Sequence, residues 1–367
     1  MYGGRGVRTS FRGKLSGLIF VYWDFERNEV AGLDERLDLL ILRPEGLFCP
    51  AGGFYIDPWR SVDKAVITHA HSDHARSGMG AYLCLKDSVM LLKERLGSGI
   101  AVEGLAYGES RIIGEVKVSL HPAGHVLGSA QIRLERAGRV VVVSGDYKIE
   151  PDVTCVPFEP VKCDTFITEC TFGLPIYQWR PQAEIHAEIN DWWRSVKADG
   201  KTAVIFGYSL GKAQRILAGL DASIGPIFGH HAVCKHLPAY EAAGIALPHV
   251  IPVADTPAKD ELKGGIIVAP PAVAEAPWLQ RIPDPVTGFA SGWMQVRGQR
   301  RRHAADRGFV MSDHADWPGI LTAIHASGCE RVLATHGETG PLLRFLNEQT
   351  SLQTGTVETR FDDDSEA

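Results

Sequence analysis

The stretch "THAHSDHA", residues 68–75, places three histidines and one aspartate within six consecutive positions. A strand would point successive side chains to opposite faces, and a helix would spread these four around its circumference. A loop directly after a strand can instead turn them toward common points. Imidazole and carboxylate groups are ligands that zinc prefers, and manganese accepts the same nitrogen and oxygen donors. The stretch therefore predicts a metal-binding loop.

Five short apolar runs of the chain each end on a titratable residue. They are AVITH (65–69), VVVVSGD (140–146), TFITE (165–169), FVMSDH (309–314) and RVLATH (331–336). Runs this short and rich in β-branched residues are typical of buried strands. A buried strand cannot keep an unpaired charge inside, so we expect each polar group at a strand end. Helical spacing at 88–96, 182–196 and 212–220 completes the prediction of an α/β fold.

Composition limits the classes of protein that the chain could belong to. With 45% hydrophobic and 22% charged residues over 367 positions, it is typical of a globular protein of two or three domains. A net charge of -6 means that nucleic acid must be bound by a local basic patch. Seven cysteines without a CxxC pair fit a reducing cytoplasm, and the apolar run at 18–22 is too short to span a membrane. We interpret residues 1–36 as a poorly ordered leader.

Other histidines and acids of the chain could complete a site for two ions. His69 and His71 could converge on one ion, and Asp73 and His74 on a second ion beside it. Two adjacent ions need further ligands, and a carboxylate could bridge them. The candidates are His125 in PAGHVLGSA, Asp146 in SGDY and His336 in THGE. A lone histidine is more often a hydrogen-bonded structural residue, but this larger set favours metal binding.

Several motifs resemble a known superfamily. THAHSDHA, HPAGHVLGSA, SGDY and THGE resemble the metallo-β-lactamase superfamily. ECTFG (169–173), FGYSLGKAQRIL (206–217) and MSDHADW (311–317) resemble its β-CASP nuclease branch, which includes Artemis and RNase J. Residues 43–78 and 292–317 resemble the bacterial DNA-ligase-associated exonuclease family most. The resemblance covers roughly residues 37–350.

The resemblance implies a fold and a domain order. The fold is the four-layer αββα sandwich of the metallo-β-lactamases, with an inserted β-CASP α/β domain. The core would comprise residues 37–180 and 310–350, and the insertion would comprise residues 181–309. Residues 351–367 would form an acidic tail.

The resemblance also implies a role for each residue of the site. The first metal ion would be bound by His69, His71 and His125, the second by Asp73, His74 and His336, and Asp146 would bridge them. Asp57 would orient ligand histidines from behind. Asp73, Glu169 and His314 would be the catalytic residues.

The implied activity is hydrolysis of phosphodiester bonds in DNA with two divalent ions, zinc first and manganese as the alternative. His314 would act as the general acid for the departing oxygen, and Glu169 would hydrogen-bond its ring. We expect a cytoplasmic DNA exonuclease of DNA repair that digests from 5′ ends. A DNA ligase and a helicase are its candidate partners.

Two segments are candidates for binding phosphate groups of the substrate. The stretch VRGQRRRHAADR (296–307) supplies Arg297, Arg300, Arg301 and Arg302, whose guanidinium groups match phosphate oxygens. The stretch GYSLGKAQ (207–214) is expected to open a helix, with Ser209 and Lys212 beside a terminal phosphate. A solvated loop is the alternative interpretation of the arginine run.

Other functions stay open at this stage. An RNA-processing nuclease of the same fold would use the same metal site, and the superfamily also contains thioester and lactone hydrolases. GYSLG matches the G-x-S-x-G elbow of serine hydrolases, with Ser209, Asp306 or Asp313, and His336 as a triad. A non-catalytic scaffold is a further alternative. A chelator would abolish the activity of a metal-dependent hydrolase but not that of a serine hydrolase, so it distinguishes these hypotheses.

Overall fold

The computed structural model describes residues 39–255, 259–296 and 305–359. Three expectations fall on other residues: the leader at 1–36, the phosphate-binding arginines, and the acidic end of the tail at 360–367. The arginines concerned are Arg297, Arg300, Arg301 and Arg302. These expectations lie outside the described residues and stay predictions.

The first sheet contains six strands in chain order. They are β1 Ile41–Arg43, β2 Gly46–Cys49, β3 Phe54–Ile56, β4 Lys64–Val66, β5 Ala81–Leu85 and β6 Val102–Leu105. The β1–β2 and β2–β3 pairs are antiparallel, whereas β3, β4, β5 and β6 run parallel to one another. The loop at 68–75 follows β4, which places it at the carboxyl edge of the parallel strands.

The second sheet combines strands from both parts of the chain. They are β7 Ser110–Ile113, β8 Val116–Pro122, β9 Ala130–Arg136, β10 Arg139–Val143, β11 Thr165–Cys170, β18 Arg331–Gly337 and β19 Gln353–Thr356. Their order across the sheet is β19-β18-β11-β10-β9-β8-β7. The four strands from β10 to β19 in this order are parallel. Strands predicted from residues far apart in the sequence are therefore direct neighbours.

The third sheet is built from residues between β11 and β18. Its strands are β12 Thr202–Phe206, β13 Ile227–Gly229, β14 Ile251–Pro252, β15 Ile266–Ala269, β16 Pro285–Ala290 and β17 Arg307–Phe309. All of its strand pairs are parallel. We call residues 181–309 the inserted segment, because the chain leaves the second sheet after β11 and returns to it at β18.

Helices cover the outer faces of the sheets. They are α1 Val89–Leu96, α2 Gln182–Ala198, α3 Lys212–Ala218, α4 His231–Cys234, α5 Leu237–Ala242, α6 Trp317–Ser327 and α7 Thr339–Gln349. This mixture of sheets and helices confirms the predicted α/β class. Of the three predicted helices, the first two are observed within two residues of their predicted ends. The third ends at Ala218, two residues early.

Buried side chains show how these elements pack. Residues of the first and second sheets form one shared apolar core, which includes Phe54, Leu83, Ile132 and Leu333. Helices α6 and α7 pack on the other face of the second sheet, and α1 packs on the first sheet. Helices α2 and α3 cover one face of the third sheet.

The structure differs from the predicted tail at 351–367. Residues 353–356 form β19, which pairs in parallel with β18. Val357 then packs into the core shared by the first two sheets. The acidic residues that suggested a tail lie at 358–367, whereas 353–357 reads QTGTV, which is uncharged and rich in β-branched residues.

Among the described residues, no helix combines the length and apolar character needed to cross a membrane.

Candidate metal centre

Parallel strand order brings distant titratable residues to one edge of the second sheet. Strands β18, β11 and β10 are neighbours. His336 lies at the carboxyl end of β18, and Glu169 lies at the carboxyl end of β11. Asp146 lies just beyond β10. The loop at 68–75 approaches from the first sheet, where the Thr68 carbonyl accepts from Ala130 N at 2.8 Å. His125 lies in the loop between β8 and β9. The centre therefore forms where the carboxyl edges of two sheets meet.

His336 reaches the centre through an irregularity in β18. The pairing runs Glu169↔Thr335 and then Cys170↔Gly337, so His336 is the extra residue of a bulge. Its φ of 57° lies in the left-handed region, which few non-glycine residues adopt. A bulge re-aims a side chain at a strand end. Because of this bulge, the His336 side chain does not follow the alternating side-chain directions of β18.

Four side chains form the first group of candidate ligands. They are His69, His71, His125 and Asp146, whose ligand atoms all lie within 4.8 Å of one another. His71 Nδ1 is 3.1 Å from His69 Nε2 and 3.1 Å from His125 Nε2, and Asp146 Oδ2 is 3.4 Å from His69 Nε2. Ligands about 2.0–2.1 Å from a tetrahedral zinc ion are themselves ~3.3 Å apart. The spacing of this group fits that ion.

The second group shares Asp146 with the first. Asp73, Asp146 and His336 place ligand atoms within 4.8 Å of one another. His74 Nε2 lies 3.5 Å from Asp73 Oδ2 and 3.4 Å from Asp146 Oδ2. The predicted seven-ligand set is thus brought together as two adjoining groups.

Buried carboxylate oxygens provide an independent test of fit. Both oxygens of Asp73 and Oδ1 of Asp146 are buried, and none of the three has a hydrogen-bond donor within the described part of the chain. Burying an unpaired carboxylate is costly unless a cation or donors compensate it. Hard oxygen donors beside imidazole nitrogens suit zinc or manganese. The residues present therefore fit two divalent ions.

Hydrogen bonds determine which nitrogen each ring offers. His71 Nε2 donates to the Leu210 carbonyl at 3.1 Å, and His125 Nδ1 donates to the Asp313 carbonyl at 2.9 Å. A carbonyl oxygen can only accept, so the proton of each neutral ring lies on that nitrogen. The other nitrogen, Nδ1 of His71 and Nε2 of His125, keeps its lone pair toward the centre.

Asp57 orients His74, one of the two histidines of the second group. Its Oδ2 accepts from His74 Nδ1 at 2.8 Å. Its two oxygens also accept from Thr68, from the backbone N at 2.8 Å and from Oγ1 at 2.5 Å. The residue has φ 40° and is buried. Asp57 thus lies behind the ring of His74, a candidate ligand.

Burial and charge set opposite protonation tendencies in the two groups. Burial lowers the pKa of His69 and of His125 well below the ordinary value, and it lowers the pKa of His71 as well. Burial also opposes protonation of His74, but the carboxylates of Asp146 and Asp73 outweigh it and raise the pKa of His74 well above its ordinary value. The neutral rings of the first group are ready ligands, and the second group attracts positive charge.

His314 and Glu169 form a hydrogen-bonded pair beside both groups. His314 Nδ1 lies 2.9 Å from Glu169 Oε2 and 3.1 Å from Oε1. Glu169 also accepts from Tyr147 N at 2.8 Å and from Thr171 Oγ1 at 2.6 Å, which fixes the carboxylate. The His314 ring centroid is 4.7 Å from that of His125. The pair therefore has its own hydrogen bonds and lies next to the candidate metal ligands.

A cleft of about 250 Å³ opens beside this centre. His71, Asp73 and His314 line its inner wall, and Ser209 lines it from the inserted segment. Arg95 and Lys235 supply cations at its wall. A substrate in this cleft would contact the candidate acid and both ligand groups.

Lys212 differs from its predicted role as an exposed phosphate ligand. The side chain is fully buried, and Nζ lies 3.2 Å from Asp313 Oδ1. The amides at the start of α3 are also engaged, because Gly211 N donates to Gln214 Oε1 and Ala213 N donates to the Tyr208 carbonyl. The GYSLGKAQ stretch therefore serves packing at these positions, and among its predicted phosphate ligands Ser209 alone lines the cleft.

The serine-hydrolase triad is not assembled. Within the described residues, no hydrogen bond joins the Ser209 hydroxyl to a histidine. Asp306 Oδ2 accepts from Thr287 N and Oγ1, both at 2.8 Å, and Asp313 pairs with Lys212. Both candidate acids of the triad are thus engaged elsewhere.

Sequence reasoning missed the groups that support the candidate ligands, two from the inserted segment and two from the core. These are the carbonyl of Leu210, the carbonyl of Asp313 and the side chain of Arg215, together with Thr171 beside Glu169. Backbone carbonyls leave no signal in a sequence. Arg215 stands in the FGYSLGKAQRIL motif, but its buried position depends on tertiary contacts.

Comparison with known proteins adds a relative that matches most of the chain. No family model matches this chain. A probable DNA ligase of Opitutus terrae is 32% identical over 310 residues, which cover 83% of this chain and 30% of the ligase.

Other relatives match about half of the chain or less. Endoribonuclease YSH1 of Gibberella zeae is 29% identical over 196 residues, 53% of this chain and 22% of the relative. Cleavage and polyadenylation specificity factor 73 of Drosophila melanogaster is 29% identical over 147 residues, 40% of this chain and 21% of the relative.

A solved structure supports the fold alone. A protein of unknown function from Enterococcus faecalis V583 aligns over 80% of this chain and 78% of its own, with a TM-score of 0.54 and 12% identity.

These relatives confirm the resemblance seen in the motifs. The chain is a homologue of the β-CASP nucleases of the metallo-β-lactamase superfamily, which are metal-dependent hydrolases of phosphodiester bonds. It spans less than a third of the length of each curated relative named above. The nucleic acid that it cuts and the position of the cut therefore belong to the proposal that follows.

Proposed function

We propose that the chain is a DNA exonuclease of DNA repair that uses two divalent ions and digests from 5′ ends. The similarity to a probable DNA ligase over most of the chain supports DNA as the substrate. The mixed imidazole and carboxylate ligands support zinc, with manganese as the alternative. A ligase and a helicase are its proposed partners, and the cysteine content supports a cytoplasmic location.

We also propose the four-layer αββα sandwich as the architecture of the core. Helices α6 and α7 lie on the second sheet, the two sheets share a core, and α1 lies on the first sheet. The core would comprise residues 37–180 and 310–350, with residues 181–309 as the β-CASP domain.

One observation carries the proposed chemistry: Asp146 belongs to both ligand groups, and the His314–Glu169 pair adjoins it. Asp146, Glu169 and His314 place ligand atoms within 4.8 Å of one another. A shared carboxylate is what two adjacent ions need, and the neighbouring imidazole is what a departing oxygen needs.

The residues divide the work of hydrolysis. Divalent ions held by the two ligand groups would lower the pKa of a water and neutralise phosphate charge. Asp57 and the carbonyls of Leu210 and Asp313 hold three ligand rings in one orientation. Glu169 accepts a hydrogen bond from His314 Nδ1, so that the protonated ring would donate its Nε2 proton to the departing oxygen. The inserted segment and the core both line the cleft, so a bound substrate would contact both.

An RNA nuclease is the second candidate, because the YSH1 and factor 73 relatives carry names from RNA processing, although they match only about half of the chain or less. The deciding experiment digests single- and double-stranded DNA and RNA, labelled at either end, with and without chelator. Release of mononucleotides from the 5′ end of DNA, abolished by chelator, supports the proposal. Cleavage of RNA with inert DNA overturns it in favour of the second candidate, and chelator-resistant hydrolysis overturns both.

A further inference from the structure

Helix α3 of the inserted segment lies directly against the loops that carry the first ligand group. The backbone turn before the helix brings Gly211 to Val126, the neighbour of His125. A Cβ on Gly211 would lie 2.3 Å from Val126 Cγ1, so no side chain fits between the two. Leu210, one residue earlier, is the acceptor for His71. The inserted segment is therefore in contact with two of the three first-group histidines.

Arg215 ties this helix to the same loops. Its Nη2 donates to the carbonyl of His125 at 3.0 Å, and its Nη1 donates to the carbonyl of Ser312 at 2.9 Å. The guanidinium is 1% exposed, and Nε lies 3.3 Å from Asp152 Oδ2. One rigid, planar cation thus joins the backbone of a ligand to the loop that leads to His314.

Lys212, one turn earlier in the helix, acts on the same loop. Its buried Nζ lies 3.2 Å from Asp313 Oδ1, and the carbonyl of Asp313 is the acceptor for His125 Nδ1. Arg215 and Lys212 therefore hold both ends of the hydrogen bond that orients the His125 ring.

The second group is oriented differently. His74 is held by Asp57 at the end of β3, and Asp57 is held by Thr68, so this chain of bonds stays within the core. The second position is thus supported from the core, and Thr68 Oγ1, at 3.1 Å from His69 Nδ1, links the same bonds to the first position.

We propose that Arg215 is a positioning residue through which the inserted segment maintains the first metal position, whereas the second position is maintained by the core alone. This inference rests on the proposed two-metal function and adds an asymmetry to it. Loss of the Arg215 bonds frees the His125 backbone and the Ser312–His314 loop together. Supporting residues of this kind contribute 10–100-fold to metal affinity.

The test measures zinc binding rather than activity. Purified wild type, Arg215→Met and Arg215→Lys are stripped with chelator and titrated with zinc against a chromophoric competitor. Crystals equilibrated at limiting zinc then show which position is filled, from the anomalous zinc signal. We expect Arg215→Met to bind zinc about 10–100-fold more weakly at the His69–His71–His125 position alone. Arg215→Lys keeps the charge beside Asp152 and should fall between that variant and wild type.

Two further variants separate positioning from general destabilisation. Asp57→Asn should weaken the second position more than the first, which is the reverse ranking, because Asp57 bonds directly to His74 and reaches His69 only through Thr68. Asp152→Asn removes the ion pair of Arg215 but leaves both carbonyl bonds, so both positions should stay filled. If Arg215→Met does not fold, the lysine variant decides: unchanged zinc affinity at the first position overturns the inference.

The remaining outcomes are distinct from failure of the proposed function. Equal weakening of both positions in Arg215→Met shows a merely structural role and overturns the inference while wild type still digests DNA. Selective loss of the first zinc ion upholds the inference even if wild type cuts RNA instead of DNA.

Discussion

His314 donates from Nδ1 to Oε2 of Glu169 over 2.9 Å, although the two residues are 145 positions apart in the chain. The contact is possible because β11 ends at the site and β17 delivers the chain back to it before α6 begins. Nδ1 is therefore occupied, and the acidic proton that a departing oxygen would receive belongs to Nε2.

The first prediction concerns that proton. His314→Ala should lower kcat about 10²–10⁴-fold, because a positioned general acid contributes that much. Zinc content should stay at the wild-type level. Turnover and metal analysis of the same preparations measure both quantities. His121→Ala is the matched control, since that half-buried ring lies beside Glu159, and its turnover should equal wild type. Loss of zinc from His314→Ala would instead make this ring a ligand.

Much of the site could be predicted from sequence because the ligands end recognisable apolar runs. Asp146, Glu169 and His336 each follow or end a strand of the parallel part of the second sheet, and parallel strands share a carboxyl edge. Side-chain type and strand position were enough to predict that these three residues lie close together.

The supporting contacts could not be predicted, for a physical reason. Lys212 was expected to face the substrate because it opens a helix after a glycine turn. Its direction is set instead by Asp313, which lies a hundred positions later and compensates the buried charge. Likewise the carbonyl of Leu210 becomes a partner of His71 only once α3 packs on the core. Such contacts depend on docking rather than on local pattern.

The second prediction concerns metal removal and stability. Zinc at 100 times its dissociation constant should raise the free energy of unfolding by about 2.7 kcal/mol for each filled position. The carboxylates of Asp73 and Asp146 are the groups that need this charge, because three of their buried oxygens have no donor among the described residues. Chemical unfolding with zinc and with chelator measures the difference.

Asp146→Asn tests the same point from the protein side. The variant should lose most of the zinc-dependent stabilisation at both positions, because this carboxylate faces both groups. Asp191→Asn, an exposed surface carboxylate on α2, should keep it in full. Undiminished stabilisation in Asp146→Asn would show that the two groups do not share a bridging ligand.

The third prediction concerns the turn before α3. Gly211→Ala should destabilise the protein more than Gly138→Ala does. Both glycines have positive φ, 89° and 78°, so each variant carries backbone strain of about 1–3 kcal/mol. Only Gly211 also faces a close neighbour, Val126 Cγ1 at 2.3 Å from the added Cβ, whereas the space around Gly138 is open. Thermal unfolding of the two variants compares these losses, and equal losses would mean that the turn before α3 does not press on Val126.

The last prediction decides between two roles for Lys212. A phosphate ligand would, when removed, weaken DNA binding and reduce its dependence on salt. A buried counter-charge would instead lower stability by about 3–5 kcal/mol, because Asp313 is left without its cation. The burial of Lys212 and its 3.2 Å distance to Asp313 Oδ1 favour the second result for Lys212→Met. Urea unfolding measures the stability, and DNA binding by chelator-treated protein at several salt concentrations measures the affinity.

Lys235→Met serves as the comparison, since this lysine lines the cleft with its side chain 44% exposed, and its loss should change the salt dependence of DNA binding rather than stability. If Lys212→Met is as stable as wild type and its DNA binding depends less on salt, Lys212 is a phosphate ligand and not a buried counter-charge.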